Sequence, residues 1–245
     1  MVTHVLDLPL AGWILLGVAA FIGGFSKTAL SGATTVSVVL AAMVLPAKES
    51  TALMLVLLLA GDIWAILTYR RDADVRLLLR LVLPVVVGVA LGGVFLGRVD
   101  DLVLRRTIGG ILLGLLLVGL VTRRHRPGRT EAHLYGGLAG FTTMVANAGG
   151  PAMSLYLLSA RYGKLAFLGT TAWFFATVNL VLKLPVMVSL GMMTRGVVLT
   201  GLVLVPLVWL GALVGRVVVN RLNEVWFARL VTAFVVASAL YLVLS

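Results

Sequence analysis

Three ionisable side chains, Lys27, Asp62 and Lys183, interrupt apolar runs of this 245-residue sequence. A charge within a hydrocarbon-length segment is expensive, so its presence points to an ion pathway, a proton relay or a ligand counter-charge. Asp62 is suited to bind and release a coupling proton or sodium ion, and Lys183 to attract an anion. A structural pair, or water-facing ends of tilted helices, would also explain them. Asn179 stands one helical turn before Lys183, hence on the same helix face.

Two Gly-rich stretches break the apolar pattern at corresponding places, Gly23-Gly24-Phe25-Ser26-Lys27-Thr28-Ala29-Leu30-Ser31-Gly32 and Thr142-Thr143-Met144-Val145-Ala146-Asn147-Ala148-Gly149-Gly150-Pro151. An apolar helix resumes after each, and Pro151 suits the first turn of such a helix. Free N–H groups at a helix start, bared by Gly, attract anions. Irregular backbone at membrane depth survives only where protein buries it or where it lines a cavity. The pattern therefore allows two tips that meet around an anion, with Ser26, Lys27, Thr28, Ser31, Gly32, Asn147, Gly149 and Gly150 as its contacts. The alternative is a pair of ordinary turns at the membrane face, with Lys27 in water. Segments 12–25 and 33–45 measure about 20 Å each, short for a core of about 30 Å, which favours tips.

Other chemistries find little support. There is no Cys, and the three His, at 4, 125 and 133, are scattered, so no metal cluster is expected. A lone Asp62 without a nucleophile and base gives an intramembrane enzyme nothing to build from, and no cofactor motif is present. Trp64, Trp173, Trp209 and the Met192-Met193 pair read as packing or interface anchors.

The elements that must position these residues are transmembrane helices. Hydrophobic residues make up 61% of the chain and charged ones 12%, half the charged share of an average soluble protein, and mean hydropathy is +1.12. The net charge of +11 lies mostly between apolar runs, where membrane orientation accounts for it and nucleic acid is not an expected partner. Met1 to Leu8 has no Lys or Arg, so no cleavable signal peptide is expected.

Charges and Pro/Gly clusters divide the chain into ten apolar segments, 9–26, 29–46, 50–69, 77–97, 102–121, 133–147, 151–160, 165–190, 196–215 and 225–244. A basic stretch, residues 123–131, splits them five and five and has the composition of a cytoplasmic linker. Placing it inside puts Arg70, Arg71, Arg76, Arg80, Arg161, Lys164, Arg216, Arg221 and Arg229 on the same side. Lys48, Arg98, Arg105, Arg106 and Arg195 fall outside, as do both termini.

The halves, 1–122 and 132–245, echo each other. Gly17-Val-Ala-Ala-Phe21 matches Gly137-Leu-Ala-Gly-Phe141, Pro84 with Gly88-x-x-x-Gly92 matches Pro206 with Gly211-x-x-x-Gly215, and Arg98-Val-Asp-Asp matches Arg221-Leu-Asn-Glu. An odd number of segments per repeat inverts the second half, also when the first two segments form a re-entrant hairpin. The expected fold is thus an all-α polytopic membrane protein of two inverted repeats, the architecture of secondary transporters with a site near the midplane.

In these stretches the sequence resembles the sulfite exporter TauE/SafE family. The resemblance rests on Gly24-Phe-Ser-Lys-Thr28, Pro46-Ala-Lys-Glu-Ser-Thr51, Gly61-Asp62 with Tyr69-Arg-Arg71, Ala146-Asn-Ala-Gly-Gly-Pro151 with Tyr156-Leu-Leu, and Gly169-Thr-Thr-Ala-Trp-Phe174. It departs after the first tip, where Ala33-Thr34-Thr35 follows Gly32 and a Pro is often found in the family. The resemblance implies a multi-pass transporter of the cytoplasmic membrane that exports sulfite or an organosulfur anion such as sulfoacetate. Thr170, Thr171, Asn179 and Lys183 then join the two tips as candidate anion contacts, with Asp62 as coupling group. A passive anion channel with the same inverted fold remains the alternative reading.

Overall fold

The computed structural model describes residues 8–96 and 128–244. Expectations for segment 102–121, for His4, Arg98, Arg105, Arg106 and His125, and for linker residues 123–127 fall outside them. Among the described residues nine helices follow in order: α1 Leu10–Thr28, α2 Thr34–Val44, α3 Ala47–Tyr69, α4 Val75–Leu96, α5 Arg129–Ala146, α6 Gly149–Ser159, α7 Lys164–Ser189, α8 Arg195–Arg221 and α9 Glu224–Leu244. A 3₁₀ turn, Ser31–Ala33, leads into α2. Among the described residues five helices, α1, α3, α4, α7 and α8, are long and apolar enough to cross a membrane. By contrast α2 and α6 have 11 residues each, about 16 Å, half a bilayer core.

The breaks are narrower than the Gly-rich sequences suggest. Helix α1 runs through Gly23, Gly24, Ser26, Lys27 and Thr28, and α5 runs through Thr142 to Ala146. Only Ala29-Leu30 and Asn147-Ala148 leave helical structure between the paired legs. Gly23 and Gly24 are packing residues. A side chain on Gly24 would overlap the Val208 carbonyl of α8, and one on Gly23 would press on Ser37 of α2.

Close glycine contacts join the helices in two reciprocal pairs. On α8, Gly211 lies against the backbone of Phe21 and Phe25, and Gly215 against Phe25 and Thr28, all on α1. On α4, Gly88 lies against Gly137 and Phe141, and Gly92 against Phe141 and Met144, all on α5. Helices packed in lipid gain nothing from excluding water, so small residues that let backbones approach carry the association. Pro84 and Pro206 each stand in the same helix shortly before the glycine pair. The outward faces carry exposed Leu79 and Leu83 on α4 and Leu202 and Val203 on α8, an apolar surface suited to lipid.

One polar cluster fixes the loops at an end of the bundle. Asp74 caps α4 by accepting from the Leu77 N–H at 3.0 Å, and it accepts from Tyr162 OH in the α6–α7 loop at 2.5 Å. Its own N–H donates to Thr170 Oγ1 of α7 at 3.0 Å. Burial alone would raise the Asp74 carboxyl, but hydrogen bonds from Tyr162, Leu77 and Arg76 and the charge of Arg80 outweigh it and hold the group below its usual range.

Two predictions follow from this packing. Gly88→Ala and Gly211→Ala are each expected to destabilise by about 1–3 kcal/mol, because the methyl meets fixed backbone. Gly196→Ala, where nothing lies within 4 Å, is expected to stay within about 0.5 kcal/mol; thermal unfolding in detergent compares them. For Asp74, a depressed folded-state pKa means that its stabilisation is present at neutral pH and lost as pH falls through that value. The difference in Tm between wild type and Asp74→Asn should therefore be largest near pH 7 and narrow below about pH 4.

Candidate functional site

Lys27 occupies the last turn of α1, where a cation is favoured by the exposed carbonyl ends of the helix. Its Nζ donates to Asp62 Oδ1 of α3 at 2.6 Å, and the two side chains are 7% and 3% exposed. The ammonium also lies 5.1 Å from the centre of the Phe175 ring on α7, within cation–π range. Asn179 Nδ2 donates to the other carboxylate oxygen, Asp62 Oδ2, at 2.7 Å. Asp62 is thus held between a cation from the first half and an amide from the second.

Asn179 and Lys183 share a π-helical turn, Val178–Lys183, in the middle of α7. The wider turn breaks the overlay of residues four apart that an α-helix would give. Asn179 therefore faces α3, while fully buried Lys183 reaches the end of α5, donating to Thr143 O at 2.5 Å and to Asn147 Oδ1. Asp62 and Lys183 do not pair; the carboxylate's cation is Lys27.

Asn147 ends α5 in the left-handed region, φ 52°, a conformation that Asn adopts at helix ends more readily than most residues. Its Nδ2 donates to Thr51 O of α3 at 3.3 Å, so the second tip is tied to the first half. Across the tips, Ser31 Oγ and Ser154 Oγ share a hydrogen bond of 2.6 Å. Gly150 lies so close to the Ser31 carbonyl that a side chain there would overlap it. Ser26 Oγ donates to Gly23 O at 2.7 Å and shares a hydrogen bond of 2.8 Å with Thr34 Oγ1.

These groups surround a cavity of about 20 Å³, lined by Ser26, Lys27, Ser31, Thr34, Leu58, Thr143, Asn147, Gly150, Thr171, Ala172, Phe175 and Asn179. That volume is room for about one water molecule. Seven of the residues expected from sequence line it: Ser26, Lys27, Ser31, Asn147, Gly150, Thr171 and Asn179. Asp62 lies directly behind Lys27 and Asn179, and Lys183 behind Thr143 and Asn147.

The remaining expected contacts do not line the cavity. Thr28 Oγ1 donates to Ala212 O at 2.7 Å and joins α1 to α8. Gly32 packs on Phe234 of α9, and Gly149 on Ala139, Thr143 and Phe175. Thr170 accepts from the Asp74 N–H. Sequence reasoning missed Thr34, Thr143, Leu58, Ala172 and Phe175. The hydroxyl residues had a usable signal, Thr143 lying within the second Gly-rich stretch and Thr34 just beyond the first; Leu58, Ala172 and Phe175 had none.

No curated protein and no solved structure matches the chain. The family model described as sulfite exporter TauE/SafE matches residues 15–242, nearly the whole length. The chain belongs to the sulfite exporter TauE/SafE family, a family of multi-pass membrane transporters for sulfite and related anions.

Proposed function

We propose that the protein is a secondary transporter that exports sulfite or a related organosulfur anion, such as sulfoacetate, across the cytoplasmic membrane by alternating access. The observation that carries this reading is the Lys27 ammonium at a buried cavity whose walls bring hydroxyl and amide groups from both tips. Lys27 supplies the attraction for an anion, while Ser26, Ser31, Thr34, Asn147, Thr171 and Asn179, whose donors are engaged within the protein in this closed arrangement, are the groups that turn to its oxygens. Asp62 is the coupling group. Lys183 holds Asn147 and the end of α5 in place.

The inverted repeat belongs to the same proposal. Its support is reciprocal packing, the first helix of each half against the fourth of the other, α1 with α8 and α5 with α4. Asp62 and Asn179 each stand about four turns into the third helix of their half, counted from Ala47 and Lys164. The short second legs, α2 and α6, suit re-entrant hairpins. With basic residues inside, the linker is cytoplasmic and both termini lie outside. A cavity with room for one water must widen to admit sulfite, and parting the tips would break the Ser31–Ser154 hydrogen bond and the close contact of Gly150 with the Ser31 carbonyl. A carrier that closes around its cargo fits this better than a standing pore.

Two measurements test the site. Lys27→Met alone leaves the Asp62 carboxylate buried without its cation, expected to destabilise by about 3–5 kcal/mol. Lys27→Met combined with Asp62→Leu should recover most of that loss in Tm yet lower [³⁵S]sulfite flux in proteoliposomes roughly a hundredfold or more; wild-type flux in the folded double variant would remove the pair from the site. For the cargo, sulfite or sulfoacetate is expected to raise Tm of the purified protein more than sulfate or taurine. No shift from any of them, or from thiosulfate, would overturn the substrate class.

A further inference from the structure

Lys27 cannot serve Asp62 and a bound anion at full strength together. The carboxylate holds the ammonium at 2.6 Å, and an anion in the cavity approaches that same ammonium. If the anion arrives alone, it leaves two negative groups facing one cation in a site that is almost fully buried. Like charges at that distance in low dielectric do not both stay ionised.

Asn179 gives this conflict a structural outlet. An ionised carboxylate only accepts hydrogen bonds, so the amide must turn its Nδ2 to Asp62 Oδ2. Its Oδ1 is then buried with no hydrogen-bond partner, although the residue is only 1% exposed and lines the cavity. A buried carbonyl oxygen left without a donor carries a desolvation penalty. A protonated Asp62 removes it: the acid O–H becomes a donor, the amide turns over, Oδ1 accepts that O–H, and Nδ2 points to the cavity as a donor for anion oxygens.

We propose that the anion and one proton load together: the anion takes the Lys27 ammonium from Asp62, Asp62 takes up a proton from water on the loading side, and Asn179 reads the change by turning its amide. The proposal rests on the anion-carrier reading above and selects a proton over sodium as the coupling ion; export then runs down the anion's own outward gradient, carrying the proton with it. Charge balances, since the pair is neutral before loading and the added monoanion and proton cancel. Among the described residues no other element facing Asp62 offers a substitute. Helix α2 has no titratable residue, and α3 itself carries Lys48 and Glu49 in its first turn and Tyr69 in its last. On α8 the arginines Arg195, Arg216 and Arg221 lie toward the ends, away from Val208 and Trp209, which meet α3 at Gly61 and Ala60. From α7, Lys183 is committed to Thr143 O and Asn147 Oδ1.

The test is [³⁵S]sulfite uptake into proteoliposomes near pH 6, where the monoanion predominates, after subtraction of protein-free vesicles. Wild-type uptake should be indifferent to a potassium–valinomycin potential and should accumulate against a gradient when the outside is acid. Asp62→Asn should lose proton-driven accumulation at least about tenfold, and any remaining flux should follow the potential. Asn179→Leu should need a roughly tenfold higher proton concentration for half-maximal uptake, whereas a merely structural role would lower uptake equally at every pH. Potential-driven uptake by wild type, proton-driven accumulation by Asp62→Asn, or an unshifted pH profile in Asn179→Leu would each overturn the proposal. The wild-type measurement decides even if a variant fails to fold. Absence of any sulfite flux in wild type would instead overturn the carrier reading on which it rests.

Discussion

A buried charge must be neutralised where it stands, and the Lys27–Asp62 pair is where this protein meets that demand. Removing both groups from water costs several kcal/mol per ion, and only close geometry with further hydrogen bonds returns it. The arrangement supplies both: 2.6 Å between the charges, an amide on the second carboxylate oxygen and an aromatic face beside the ammonium. The three contacts come from α1, α3 and α7, so satisfying one pair of charges aligns helices from both halves. For the same reason the pair is a poor pure stabiliser. An apolar pair of similar volume would hold the helices without the desolvation cost, which is in keeping with the role in anion transport proposed for the pair.

The second constraint is the backbone. A helix end buried in protein exposes carbonyl groups that water does not reach. At the end of α1, Tyr69 OH donates to Thr28 O at 2.9 Å; near the end of α5, Lys183 Nζ donates to Thr143 O. Both donors come from the third helix of the respective half: Tyr69 meets the carbonyl of the last residue of α1, whereas Thr143 O already accepts from the Asn147 N–H and gains Lys183 as a second donor. Lys183 is therefore as much a backbone partner as a charge. Its placement behind Asn147 fixes that left-handed residue through Thr143 O and Asn147 Oδ1.

How much of this was legible in the sequence depended on the kind of signal. Of the ten apolar segments, the nine within the described residues each correspond to a helix, because transfer to lipid depends on composition over many residues. Lys27, Ser31 and Asn147 stood out because polar residues beside Gly within apolar runs are conspicuous. The extent of the breaks was not legible: Gly24 serves close packing on Val208 rather than chain reversal, and composition does not distinguish those uses. Thr28 and Thr170 looked like ligands but serve a carbonyl and a loop N–H, since a membrane hydroxyl can be used by the backbone as well as by cargo. The partner of Asp62 was hidden for another reason. The π turn at Val178–Lys183 sends Asn179 and Lys183 to different neighbours, and no local residue pattern announces it.

In the proposed repeat, the departure from symmetry matters more than the symmetry. Asp62 and Asn179 stand at matched depths and touch each other. Two carboxylates at these positions would face each other across the proposed pseudo-two-fold axis with Lys27 as their shared cation, leaving a buried excess of negative charge in the site proposed for anions. Two amides would leave Lys27 without a counter-ion whenever the cavity held no cargo. One acid and one amide avoid both conditions: the hydrogen bond across the axis is kept, the resting pair is neutral, and a single titratable group remains to answer an arriving charge. On the proposed mechanism, the chemical asymmetry of the two halves follows from keeping the Lys27–Asp62 pair close to neutral with and without an anion.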